Sequence, residues 1–223
     1  MSRAARPARP KALPPSPTAK PYHHGDLRRV LVEAALGLAA DGGPEDISVR
    51  EAARRAGVSP GAPFRHFASR DALMTAVAEE AQRRFHVEIA AALAEVPSDD
   101  PLQQFRQLGR AYLRWALHNP AHFEIISTGR YFDHDGAEAL SADNAALIAM
   151  TGRMLAEAQA NGRLRPVDLK TVQIAGRALV YGFARMAIDG HLPRWGVSAD
   201  EIERRGEQAI DLFLDGIARQ QLL

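Results

Sequence analysis

Between Ser48 and Phe67 the sequence starts a helix, stops it at a glycine and starts again. Ser48-Val-Arg-Glu51 reads as a capping box, the serine side chain accepting from the Glu51 backbone and the glutamate reaching back to Ser48. Gly57 can take positive φ and end that helix, Val58 follows as a buried residue, and Ser59 caps the next helix, predicted over Pro60 to Phe67. Ala52, Ala53 and Ala56 are small enough to let two short helices cross closely. The unit is a helix-turn-helix, a pattern found in DNA readers and also in plain packing hairpins.

The surrounding sequence is helical throughout. Leu27, Val30, Leu31, Ala34, Ala35 and Leu38 form a stripe that stops at Asp41-Gly42-Gly43-Pro44. Ser69-Arg70-Asp71 opens a long amphipathic stretch through Leu73, Val77, Ala81, Phe85 and Ile89, predicted to link two domains and to end before Pro97. Asp100-Pro101 and Asn119-Pro120 each place a cap residue before a proline suited to the first helical position, and Ser198 with Glu201 repeats the capping box. Further helices are predicted near 101–117, 120–127, 137–161, 167–189 and 199–219. The fold class is all-α: an N-terminal three-helix helix-turn-helix domain, a linker helix, and a C-terminal helical domain.

Composition removes several alternatives. The 223 residues contain no cysteine, so disulfides, thiolate metal sites and cysteine nucleophiles are out. No run approaches the roughly 20 apolar residues of a membrane span, and the basic N-terminus lacks the apolar stretch of a secretory signal, so a cytoplasmic protein without a membrane partner is expected. Net charge is only +1, but residues 1–21 gather Arg3, Arg6, Arg9, Lys11 and Lys20 among prolines with no acid. That arm is expected to be disordered, either as a solvated tail or as a basic extension toward phosphates. No P-loop, nucleophile elbow or HExxH motif is present, which speaks against an enzyme. His118 and His122 stand four apart, but the helix boundary at Asn119-Pro120 separates them, and His23 and His24, next to the arm, have no carboxylate cluster at ligand spacing. Neither a metal nor any other cofactor is expected.

Val58-Ser-Pro-Gly-Ala-Pro-Phe-Arg-His-Phe67, followed by Ala68-Ser-Arg-Asp-Ala-Leu73, resembles the signature of TetR-type (TetR/AcrR) transcriptional regulators, with Tyr22-His-His-Gly-Asp-Leu-Arg28 and the aliphatic stripe resembling the family's first helix. Residues 22–85 would then be the DNA-binding domain, and 86–223 the ligand-sensing and dimerisation domain. Ala178-Leu-Val-Tyr-Gly-Phe-Ala184 and Asp189-Gly190 resemble the family's WHG-domain subgroup. The resemblance implies that Ser48 and Ser59 cap helices near phosphates and that Pro60, Gly61, Ala62 and Arg65 present the recognition helix to the major groove. Arg65 would read guanine. His66, Arg70, Arg28 and Arg50 would contact the DNA backbone. Phe64 replaces the usual tyrosine, so its phosphate contact is absent, and Pro63 removes one first-turn hydrogen bond. Phe67 is expected in the core.

In the C-terminal half, Leu102, Phe105, Leu108, Tyr112 and Trp115 form a stripe that is first of all a core face. By resemblance, a small-molecule effector would lie among central helices, with Trp115, Phe123, Met150, Met154, Tyr181 and Met186 as candidate walls and His118 or Tyr181 as an orienting polar group. Ile174, Ala178, Gly182, Ile202, Ala209, Ile210, Phe213 and Ile217 are candidates for a four-helix homodimer interface. The resulting expectation is a dimeric repressor on near-palindromic double-stranded operator DNA, released by an inducer. The alternatives are a dimeric DNA binder without an effector, and an all-helical enzyme.

Overall fold

The computed structural model describes residues 27–132 and 137–219. The Pro-rich arm, His23 and His24 lie outside that range. Among the described residues eight α-helices follow one another: α1 (Leu27–Gly42), α2 (Val49–Arg55), α3 (Arg70–Ala94), α4 (Pro101–His118), α5 (Pro120–Thr128), α6 (Glu138–Ala160), α7 (Leu169–Ile188) and α8 (Ile202–Ile217). Short 3-10 turns stand at Pro44–Asp46, Pro63–Arg65, Leu192–Trp195 and Ala199–Glu201. Among the described residues there is no β-strand, only an isolated bridge between Leu164 and Ala218. Around it Arg165 N–H donates to Ile217 O (3.1 Å) and Arg219 N–H to Arg163 O (2.8 Å), fastening the end of α8 to the α6–α7 connection.

The helix starts follow from side-chain caps. Ser48 Oγ accepts from Glu51 N–H (3.1 Å), Ser69 Oγ from Ala72 N–H (3.1 Å), Asp100 Oδ1 from Gln103 N–H (3.1 Å) and Asp168 Oδ1 from Thr171 N–H (2.9 Å). Each cap satisfies a backbone donor that the helix itself leaves open, worth about 1 kcal/mol. At Ser48 only half of the expected capping box forms. The Glu51 carboxylate accepts from Arg54 Nε at 2.9 and 3.0 Å, the nearer cation having outcompeted the Ser48 N–H. The second box is reciprocated, with Ser198 N–H donating to Glu201 (3.4 Å).

Two hydrophobic cores meet along α3. Leu73, Met74, Val77 and Ala81 belong to the N-terminal core with α1 and α2, whereas Phe85, Ile89 and Ala92 belong to the C-terminal core. The linker helix therefore changes core between Ala81 and Phe85. The N-terminal core also takes in Ile125, Tyr131, Phe132, Ala137 and Leu140 from α5, the loop after it and the start of α6. A displacement of α5 or α6 is thus felt directly under the helix-turn-helix.

Candidate DNA interface and effector cavity

The second helix of the helix-turn-helix does not form as an α-helix. Gly57 sits at φ 68° and turns the chain as expected, and Val58 N–H bonds back to Ala53 O (3.1 Å). After that turn come i→i−3 turns, Ala62 N–H to Ser59 O (3.0 Å), Arg65 N–H to Ala62 O (3.4 Å) and His66 N–H to Pro63 O (2.8 Å), closed by one i→i−4 bond from Phe67 N–H to Pro63 O (2.9 Å). Ser59 makes no side-chain cap. The cause is Pro63: it has no N–H for the Ser59 carbonyl, and its ring would press on that carbonyl in a continuous helix. Gly61 adds the entropic cost of an unrestricted residue. The loss therefore extends beyond the single first-turn bond, and a compact 3-10 segment stands where a recognition helix was expected.

That segment nevertheless shows a defined surface. Pro63 and Phe67 are buried beneath it, and Pro60, Gly61, Phe64 and Arg65 are exposed, the Phe64 ring at 50%. Arg50, on α2, is exposed as well. Neither Arg50 nor Arg65 has an ion-pair partner among the described residues, so both cations remain available to an external anion. Their neighbours are already engaged. Arg54 is held by Glu51 and Arg55 by Asp41. Arg28 lies 5.3 Å over the Phe67 ring and 3.9 Å from Glu79. Arg70 points inward: its Nε donates to Ile47 O (2.8 Å) and its Nη2 to Pro44 O (3.1 Å), tying the start of α3 to the turn before α2. His66 is half-buried.

In the C-terminal domain a cavity of about 350 Å³ opens among α4, α6, α7 and α8. Phe105 and Tyr112 from α4, Ile148 from α6, Arg177 from α7, and Ile210 and Phe213 from α8 contribute to its wall. The cavity is displaced from the predicted one. Trp115 is instead buried against Phe85 (4.9 Å between ring centroids), and Phe123 packs on Tyr112 and Tyr181. Met150 and Met154 pack against the C-terminal core, and Met186 is half-buried, none of them on the wall. Exposed His118 bonds through Nδ1 to Arg114 O (2.8 Å). Tyr181 borders a neighbouring surface groove with Ile174, Arg177 and Ala178. Sequence reasoning missed Arg177, whose signal was its place as a lone cation in the small and apolar run from Ile174 to Val180.

The outer faces of α7 and α8 differ from the predicted interface in phase. Ile174 is 59% exposed, and Ala178 is exposed with it. Gly182, Ile202 and Ala209 are half-buried. Ile210 and Ile217 are buried in the subunit's own core, and Phe213 faces the cavity, so these three are not free for a second chain. Leu212, 77% exposed, takes the outward position on α8. Among the described residues no group of three or more histidines and carboxylates converges as a metal cage, and no helix is long and apolar enough to cross a membrane.

Residues 31–77 match the family model of bacterial regulatory proteins of the tetR family, and residues 105–213 match that of the tetracyclin repressor-like C-terminal domain. The chain belongs to the TetR family. A protein of unknown function from Rhodococcus sp. RHA1 is similar over 90% of this chain and 100% of its own, with 31% identity and a TM-score of 0.74. The ketosteroid transcriptional regulator KstR2 of Mycobacterium tuberculosis shares the fold at 20% identity and a TM-score of 0.64, over 87% of this chain and 96% of its own. RolR, solved with resorcinol, does so at 21% identity and a TM-score of 0.55, over 87% and 88% of the two chains. No curated protein sequence matches the chain. As a TetR-family regulator the protein is a DNA-binding transcription factor and not an enzyme.

Proposed function

We propose that this TetR-family regulator is a homodimeric repressor that leaves a near-palindromic operator when a small molecule fills the C-terminal cavity. The observation that carries this reading is the cavity itself. A domain serving only dimerisation would be expected to close its core, whereas this one leaves about 350 Å³ among four helices, within the range of small-molecule sites. The resorcinol complex of RolR supports a small organic effector.

Arg65 reads base edges and Arg50 neutralises phosphate, both being exposed and unpaired. In a two-fold dimer the paired heads meet major grooves roughly 34–36 Å, or a small multiple of that, apart. The outward Ile174, Ala178 and Leu212 supply apolar surface for the partner. Occupation of the cavity favours one arrangement of α4 and α7, and α5 and α6 pass the change to the N-terminal core.

The test is binding to DNA flanking the protein's own gene at fixed salt, wild type against Arg65→Ala. Selective wild-type binding, weakened about 5- to 150-fold and made less selective by the substitution, is the expected result. Equal binding by the two proteins would remove Arg65 as the reader.

A further inference from the structure

The cavity's residues also restrict the chemistry of what enters it. Most of its wall is apolar, and among the described residues Arg177 is the one charged residue lining it. Several other polar groups on the wall are already satisfied by the protein. Thr151 Oγ1 bonds to Leu147 O and Ile148 O, both at 3.0 Å, and Gln173 Nε2 donates to Ile148 O (2.6 Å) and Thr151 Oγ1 (2.7 Å). Arg177 differs from the arginines around it. Arg106 and Arg110 are held by Asp211, Arg114 by Glu203 and Glu207, and Arg185 by Glu124 and Asp189. Arg177 has no carboxylate partner among the described residues. Its guanidinium lies 4.6 Å over the Tyr112 ring and 5.8 Å over that of Tyr181, which holds it in place without neutralising it.

Tyr112 completes the arrangement. Burial pushes its hydroxyl up to about 12, against the opposing pull of Arg177, so at neutral pH it keeps its proton. No carbonyl or carboxylate among the described residues accepts that proton. A planar cation with several N–H donors and a phenolic donor thus stand together at one side of an otherwise apolar chamber, with no acid among the lining residues to complement them.

We infer that the effector is an amphipathic organic anion, its apolar body among Phe105, Ile148, Ile210 and Phe213 and its acidic head on Arg177 and Tyr112. This rests on the effector-controlled reading above and gives it a ligand class. Arg177 is exposed, so a neutral apolar molecule of the same shape would forgo its charge-assisted bonds, and a cationic one would be repelled.

The test uses the full chain with decanoate and 4-phenylbutyrate as probes, 1-decanol as the neutral control and decylamine as the cationic one. Binding is measured by calorimetry, alongside oligomeric state and operator release. At least one carboxylate is expected to bind ten-fold or more tightly than 1-decanol, with decylamine weakest. Arg177→Gln should lose ten-fold or more for the carboxylate with little change for the alcohol. Arg177→Lys should retain part of the affinity, and Tyr112→Phe should lose several-fold. The inference is overturned if the alcohol binds as well as the acids, or if no carboxylate binds at millimolar concentration. It is equally overturned if Arg177→Gln binds acids normally, or if the substitution splits the dimer, which would make Arg177 an interface residue. Tight carboxylate binding that leaves operator affinity unchanged would keep the anion site and count against effector control. Release by the neutral probe alone would do the reverse.

Discussion

The Tyr131 hydroxyl donates a 2.7 Å hydrogen bond to Glu45 Oε1. Tyr131 follows α5 in the C-terminal half of the chain, and Glu45 lies in the 3-10 turn that leads into α2, so the bond joins the C-terminal half to the DNA-binding half. Burial and the bond to Glu45 push the Tyr131 hydroxyl up to about 12, while the same bond holds the Glu45 carboxyl below its usual range. Tyr131→Phe keeps the ring in the N-terminal core and removes only this tie. Amides of residues 45–48 should then exchange hydrogen several-fold faster, with α4 amides unchanged. Equal exchange in both proteins would show that packing alone carries the connection.

Arg70 makes a second tie to the same turn, through the carbonyls of Ile47 and Pro44. Because its donors face the protein, Arg70→Ala should cost about 1 kcal/mol of unfolding free energy, a conservative figure for bonds made by an exposed charged side chain. The slope of operator affinity against salt should barely move. Arg50→Ala should do the opposite, leaving stability intact while flattening that slope by about one ion. If Arg70→Ala flattens the slope instead, Arg70 is a phosphate contact after all.

Much of the architecture was legible because its signals are local. Asp100-Pro101, Ser69 and Ser48 announce helix starts whatever the chain packs against, and each cap is present. The Pro60–Phe67 segment was legible only in part: Ser59 and Pro60 signal a helix start, whereas Pro63 withholds the N–H that continuing it requires. The cavity was displaced for a different reason. A helical stripe identifies which residues face inward but not which inward gap stays unfilled, and that depends on how four helices from distant parts of the chain meet. The same limit applies to Ile210 and Leu212, two positions apart on α8, of which the sequence could not show which is buried and which exposed.

At Gly206, α8 packs closely on the Leu113 and Phe183 side chains. A methyl group there would meet Phe183 Cε1 at 2.9 Å and would run into the Leu113 side chain. Gly206→Ala gains about 1 kcal/mol of helix propensity but overpacks a core contact by about 1–3 kcal/mol. The expected net effect is destabilisation by up to about 2 kcal/mol in urea unfolding. Gly182 on α7 gives the contrast, because nothing lies within 4 Å of its missing methyl. Gly182→Ala should stabilise the single chain. If it weakens the dimer in sedimentation at the same time, the space at Gly182 belongs to a partner helix.

His122, on α5, is half-buried, its Nε2 buried and without a hydrogen-bond partner among the described residues. It stands edge-on to Trp115, the ring centroids 6.4 Å apart. Burial, helped by the Arg84 cation, lowers its pKa below the ordinary 6.5, with Glu33 and Glu80 opposing. The folded chain therefore holds the imidazole neutral, while the unfolded chain binds a proton as soon as pH falls below that ordinary value. Stability from this group is intact above pH 6.5 and declines as pH drops from there to the lowered folded value, below which the loss is complete. Wild type should lose more stability than His122→Gln between about pH 7.5 and about pH 5.5, as read by urea midpoints. The difference should be largest in probes near α5, the helix that packs beneath both halves. Parallel pH profiles for the two proteins would mean that water reaches Nε2 in solution, and that the junction at α5 opens more readily than its packing implies.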